Sequence, residues 1–292
     1  MRTWIALCGS LLFSRTLTAQ VSAREALISA DRDLSAAVFK SGPRTVLPAT
    51  LGPDGVILLP GVTVLQGGVA ATRFFTGQPL LGVAHISWQP FRIEISADSS
   101  MGFLVGIATF DHPGADPMPP IHRIGRYLAA WKRVQGSWRL ASLALVNLIS
   151  TDEIMVHPGE QSVEMPQLRS SGPAGRFVAA DSAFASDAAA GGAAKAFAKW
   201  AAPDAVTFAF SGEHNVGPER IGAVFAAGTS HWQWGPVAAG ASSDGVLGWT
   251  VGLATITPAK GGPPSKSKYL TLWRKLPDGT IRFIADGGNA RP

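Results

Sequence analysis

The chain has 292 residues, of which 46% are hydrophobic and 15% charged, and a formal net charge of +5. That is apolar material for two ordinary cores, and it excludes a disordered chain. The charge is small and scattered, which excludes the clustered basic face of a nucleic-acid binder.

The N-terminus has the layout of an export signal: Arg2, then the mostly apolar Trp4 to Phe13, then Leu17-Thr-Ala19 as a small-residue cleavage site, with Val21-Ser-Ala23 as a second. We therefore expect a leader over 1–19 and a periplasmic or secreted product. The apolar run is too short to span a bilayer, so no stable membrane insertion is expected after cleavage. A buried N-terminal strand is the alternative. The single cysteine, Cys8, lies in this stretch. Once it is removed, disulfides, cysteine–zinc sites and cysteine nucleophiles are excluded.

Residues 23–40 read as a helix, with Leu27, Asp31, Leu34 and Val38 on one face. Ser41-Gly-Pro43 ends it. A second helical stretch, 44–50, carries Pro48. Pro53-Asp-Gly55 reads as a turn, 56–59 as a short buried strand, and 67–75 as one or two helical turns. Strands are expected at 87–95 and 102–110, joined at Asp98-Ser99. A Pro/Gly-rich loop covers 111–121. Strands at 126–134 and 138–146 complete a four-stranded antiparallel meander. Residues 151–175 hold Pro158, Pro166 and Pro173 without sustained periodicity, and read as a linker between a domain at 23–150 and another at 176–290.

The second domain repeats the first. His85-Ile-Ser-Trp-Gln-Pro90 matches His231-Trp-Gln-Trp-Gly-Pro236, and the match runs without a gap through Gly106-Ile-Ala-Thr109 and Gly252-Leu-Ala-Thr255. Phe177, Asp181, Phe184 and Ala188 reproduce the Leu27, Asp31, Leu34, Val38 face. Residues 193–201 repeat the second helix and 206–210 the next strand, and Gly217-Pro-Glu-Arg220 starts a further helix. The meander recurs at 232–240, 247–257, 268–276 and 281–286. Tyr269 and Trp273 match Tyr127 and Trp131.

With these residues placed, each copy resembles the nuclear transport factor 2-like superfamily, in its SnoaL-like, ketosteroid-isomerase-like branch. The motifs are Asp181 in a helix, Pro203-Asp204, Gly217-Pro218, Trp234 and Pro236, Asp244-Gly245, Tyr269, Trp273-Arg274 and Asp286. The first copy departs at Gly67-Gly68 and at Leu143, which stands where Asp286 stands. The resemblance implies an α+β fold of two tandem cone-shaped domains. Each is a curved antiparallel sheet wrapped on helices, as in cystatin-like folds, around an internal pocket. It leaves function open, since this fold serves many functions.

The candidate chemistry is acidic and aromatic. Asp181 and Asp31 sit on the apolar face of a helix, where a carboxylate is paired or shifts its pKa upward. The readings are a general base or ligand anchor, or a structural hydrogen bond to a loop or an arginine. Asp286, paired with Tyr269, suits proton abstraction beside a carbonyl. The alternative is a strand-end turn with Gly287-Gly288. His231 and His85 precede a Trp strand and read as acid/base groups or as residues capping a loop. Trp234, Trp273, Tyr127 and Trp131 are ligand-wall or core candidates. Asp98 and Asp244 read as turn residues. The six histidines show no close ligand pair, so no metal is expected, and no cofactor. The expected partner is a small, largely apolar molecule, bound with or without acid–base catalysis of an isomerisation, dehydration or hydrolysis. The alternative is a non-catalytic binding or interaction module. The two copies are expected to pack sheet to sheet as an intramolecular pseudo-dimer.

Overall fold

The computed structural model describes residues 5–114, 119–149, 172–208, 214–226 and 230–291, with side chains from Ser22 onward except those of Gly82 and Val83. The first half contains α1 (Ile5–Ser41), α2 (Pro43–Thr50), β1 (Leu51–Leu58), β2 (Leu65–Gln66), α3 (Gly67–Thr76), α4 (Pro79–Val83), β3 (His85–Ile95), β4 (Met101–His112), β5 (Ile121–Val134) and β6 (Ser137–Val146). The second contains α5 (Pro173–Gly191), α6 (Ala193–Trp200), β7 (Ala201–Phe208), β8 (His214–Val216), α7 (Pro218–Ala226), β9 (His231–Ala241), β10 (Leu247–Thr257), β11 (Ser265–Lys275) and β12 (Ile281–Ala290). Each half is an α+β unit with a six-stranded sheet, ordered β2-β1-β6-β5-β4-β3 in the first and β8-β7-β12-β11-β10-β9 in the second.

The meander pairs as expected, but each sheet is mixed, because β1 joins β6 and β7 joins β12 in parallel. Pro53-Asp-Gly55 is an irregularity inside β1 rather than a turn before it, since the register to β6 shifts between Leu51 and Val56. Proline has no N–H for a ladder, so a bulge is where a strand accepts it. The last strand is also longer than expected. β12 continues through Gly287-Gly288 to Ala290, so these glycines form no turn after Asp286.

α1 runs continuously from Ile5, so the stretch read as a leader is helical here and not a strand. Among the described residues no helix is long and apolar enough to cross a membrane. α5 begins at Pro173, with Gly172 at φ 67 ahead of it, inside the segment expected as linker; residues 151–171 of that segment lie outside the described ones.

Repeated glycines mark where helix and sheet touch. A Cβ on Gly102 would overlap Leu27 of α1, and one on Gly248 would overlap Phe177 of α5. The packing face of each helix thus depends on a bare backbone four strand residues before Gly106 or Gly252. Those two in turn lie under Tyr127 and Tyr269.

β6 is buried along Leu140–Val146, with no alternation of buried and exposed positions. Such a strand is covered on both faces. Ile57, Leu104, Tyr127, Ala129, Trp131, Leu143 and Leu145 belong to the core beneath the first half's own helices. Val56, Leu58, Phe103, Val105, Leu128, Ala144 and Val146 belong instead to one continuous core with Val251, Leu270, Leu272 and Ala285 of the second half. The two sheets pack face to face. Their hairpin tips exchange reciprocal bonds: the Asp98 N–H donates to Asp244 Oδ2 at 3.1 Å, and the Asp244 N–H donates to Asp98 Oδ2 at 2.8 Å.

Candidate functional site

Asp181 sits on the buried face of α5, 1% exposed, and faces β9, β10 and β11. The Trp234 indole N–H donates to its Oδ1 at 3.1 Å, and the Tyr269 hydroxyl donates to the carboxylate at 3.0–3.1 Å. Burial pushes the Asp181 carboxyl up to about 6, against hydrogen bonding from Thr250, Tyr269 and Trp234 that holds it down. The partner is neither a loop nor an arginine but the aromatic lining of the sheet. In the first half Asp31 repeats the arrangement. Tyr127 Oη donates to its Oδ2 at 2.9 Å and Trp88 Nε1 at 3.2 Å, and burial pushes it to about 6 as well.

Asp286 lies beside Thr271 in the β11–β12 ladder. The Thr271 hydroxyl donates to its Oδ2 at 2.6 Å. Burial is the main cause that raises Asp286 to about 7, with Asp181 adding repulsion and the Thr271 bond opposing. The residue retains some accessible surface, and it lines a cavity. Deep placement and access to the cavity are therefore both true of this carboxyl. It does not bond to Tyr269, whose proton goes to Asp181. The Tyr269 phenol is raised well above its ordinary range by burial and the charge of Asp181, so it is neutral at physiological pH.

The cavity has a volume of about 440 Å³. Phe184, Phe197, Phe225, Trp232, Trp234 and Tyr269 supply aromatic surface, while Thr207, Thr271, Asp286 and Asn289 supply polar groups. Its wall is not confined to the second half, because Pro60, Val146, Asn147 and Ile149 of the first half also line it. The reason is geometric. Among the described residues β7 pairs with β12 only as far as Asp286, opposite Thr207, while β12 runs four residues further against β11, and that end is tied to the first half. Asn289 Nδ2 donates to Leu58 O at 3.2 Å, and the Gly61 N–H donates to Ala290 O at 3.0 Å.

The other predicted residues fall elsewhere. Trp273 is fully buried behind the cavity, and its indole donates to Thr250 Oγ1 at 2.8 Å. His231 is exposed at the start of β9 and does not line the cavity. His85 is also exposed, with Nδ1 2.9 Å from Phe39 O. Tyr127 and Trp131 are core residues at 0% and 1% exposure, gathered on Asp31, whose carboxyl both hold down. Among the described residues no group of His, Cys, Asp or Glu could hold a metal ion.

Sequence reasoning missed two polar positions. Thr250 and Thr271 stand where the first copy has Leu104 and Ala129, just as Asp286 stands for Leu143. Comparing the two copies for polar-against-apolar differences would have found all three. The contribution of the first half had no sequence signal.

No family model matches the chain, and no curated protein matches it. Solved structures similar to it are nuclear transport factor 2-like and ketosteroid-isomerase-like proteins. One is a nuclear transport factor 2-like protein with a cystatin-like fold from Novosphingobium aromaticivorans, 16% identical, covering 50% of this chain and 90% of that one at a TM-score of 0.36. Another is a nuclear transport factor 2-like superfamily protein from Salmonella enterica, 15% identical over 45% of this chain and 95% of that one, TM-score 0.36. A ketosteroid isomerase-like protein from Erwinia carotovora is 17% identical over 38% and 91%, TM-score 0.34. Each covers half of this chain or less.

Proposed function

We propose that the second half binds a small, mostly apolar molecule in its cone and moves a proton on it without a cofactor, with Asp286 as the proton acceptor. The observation that carries this reading is the aromatic cavity of about 440 Å³ with Asp286 on its wall, a carboxyl whose pKa lies near 7. That volume is within the range of small-molecule sites. A base poised near ambient pH is half ionised and still able to take a proton, the condition that general base catalysis favours. Thr271 fixes the carboxyl, and Tyr269 and Trp234, held on Asp181, fix the wall beside it. The first half supports this site: with Leu143, Ala129 and Leu104 at the equivalent places, it lacks the acid and both hydroxyls.

A second reading, binding without catalysis, is favoured by the Tyr269 hydroxyl. Its one proton is committed to Asp181, so it is not offered to a ligand. Native mass spectrometry of the purified chain tests the shared part, with one small molecule per chain expected. Only apo protein, together with failure of any apolar probe to quench Trp232 and Trp234 fluorescence, would overturn both readings. Asp286→Asn then separates them. It should abolish turnover of the retained molecule and spare its binding if Asp286 is the base. Export is part of the proposal as well: the mature chain is expected to begin at Gln20, and an intact mass that retains Met1 after passage to the periplasm or medium would refute the leader.

A further inference from the structure

Resting on that pocket reading, we infer that the ligand is a small organic cation, an ammonium group on an apolar frame, held between Asp286 and the aromatic wall. Three observations converge. The wall is a set of touching rings: Phe184 and Trp234 have centroids 4.8 Å apart, Phe197 and Phe225 3.8 Å, and Phe225 and Trp232 5.5 Å. Ring faces carry negative quadrupole density and attract a desolvated cation. Next, neither Asp286 nor Asp181 forms an ion pair with a Lys, Arg or His among the described residues; their partners are Thr271, Tyr269 and Trp234. Finally, the two carboxyl groups repel each other, which contributes to the raised value of Asp286. A neutral ligand would leave that repulsion in place and an anion would add to it, whereas a cation offsets it and favours the ionised form of Asp286.

The basic groups nearby do not supply the missing charge. Lys268 lines the cavity, but it precedes Thr271 by three residues on β11, about 10 Å along the strand, and on the opposite face. Its Nζ donates to Ala290 O at 2.9 Å, and burial and Arg291 lower it to about 7. Lys266 is exposed at the rim. Arg282, on the strand of Asp286, lies over the Trp200 ring, and Lys199 of α6 pairs with Asp187. From the remaining elements around Asp286, α5 presents Asp181, β10 Thr250 and β7 Thr207, none of them basic.

The test compares three probes on one benzyl frame by quenching of tryptophan fluorescence on the full chain: benzyltrimethylammonium, its neutral carbon isostere neopentylbenzene, and the anion phenylacetate. The cation is expected to bind about tenfold more tightly than the isostere at pH 8, the ratio a desolvated cation gains over aromatic faces. Its affinity should fall as pH drops below 7, because Asp286 takes up a proton and Lys268 of the same cavity gains a charge, while that of the isostere stays level; the part due to Asp286 is the part that Asp286→Asn removes. Asp286→Asn, checked for folding by its melting curve, should erase the preference and keep the isostere bound. Should the isostere match or exceed the cation, or phenylacetate bind best, the inference fails while the pocket stands. If none of the three binds, the pocket reading fails with it.

Discussion

The three buried acids differ from surface carboxylates in what they do to stability. Asp31 and Asp181 are raised to about 6 and Asp286 to about 7, in each case chiefly by burial. An unfolded aspartate titrates near 4. Between that value and 6 or 7 the folded protein holds more protons than the unfolded one, so these groups cost nothing below about pH 4 and destabilise progressively as pH rises to about 7. Asp98 and Asp204 act in the opposite sense. Hydrogen bonds from Ser96 and Ser100 hold Asp98 down against burial, and Arg274 and Arg92 do the same for Asp204, so the stability they contribute is lost as pH falls below about 4. The melting temperature should therefore decline from pH 5 to pH 7, and above that Lys268, lowered to about 7, acts in the opposite direction. Asp286→Asn should flatten that decline and gain on the order of 2 kcal/mol at pH 8, a figure discounted for access to the cavity. A variant that is more stable yet loses turnover is the signature of a group retained for function. If urea melts of the two proteins superimpose at pH 8, Asp286 carries no such cost.

At the level of elements, the repeated Gly-x-Ala-Thr of β4 and β10 has a packing reason. Tyr269 lies against Gly252, and a Cβ there would overlap its ring and hydroxyl and lie 2.5 Å from Gly235 O. Gly252→Ala must push Tyr269 away from Asp181 or open the bulge between β9 and β10, where the register shifts at that residue. A cost of about 2–3 kcal/mol is expected, as for overpacking in a close-packed core with a broken buried hydrogen bond. Loss of the Trp234 environment in fluorescence should accompany it. An unchanged melting curve would show that the contact is slack. The strands, the helix faces and the acids Asp31, Asp181 and Asp286 were legible because each rests on local pattern or on the match between copies. The parallel pairings of β1 with β6 and of β7 with β12, the bulge at Pro53 and the extension of β12 were not. They arise from pairing between strands far apart in the chain, and no local period reports that. For the same reason Trp273 and Trp131 stood open between ligand wall and core: strand alternation places them on the inner face, but only packing decides which inner residues meet the void.

On the scale of the whole molecule, duplication has produced one structure rather than two beads. The outer faces of both sheets share a core, the hairpin tips exchange reciprocal bonds, and a charged cluster closes the seam. Glu94 accepts from Arg92 and from Arg274 (2.9 Å), and Asp204 accepts from Arg92 (2.8 Å) and Arg274 (2.7 Å), so two acids and two arginines alternate across the halves. Glu94 is 16% exposed and the arginines 15% and 25%, so their pairs are less screened than a surface pair, while Asp204, at 53%, is the solvated end of the cluster. Glu94→Gln leaves two arginines facing one aspartate and should cost about 1–2 kcal/mol, less in high salt, because the remaining repulsion is screened. The same continuity predicts one unfolding transition for the entire chain. Calorimetry should give a van't Hoff enthalpy equal to the calorimetric one. Leu128→Asp, which places a charge in the shared core against Gly287, should lower that single transition instead of splitting it, because neither outer sheet face can remain stable exposed to water. It should also weaken ligand binding in the other half, since Leu128 braces the end of β12 that forms the cavity wall. Two separate transitions in the wild-type protein would mean that the halves fold independently of the shared core.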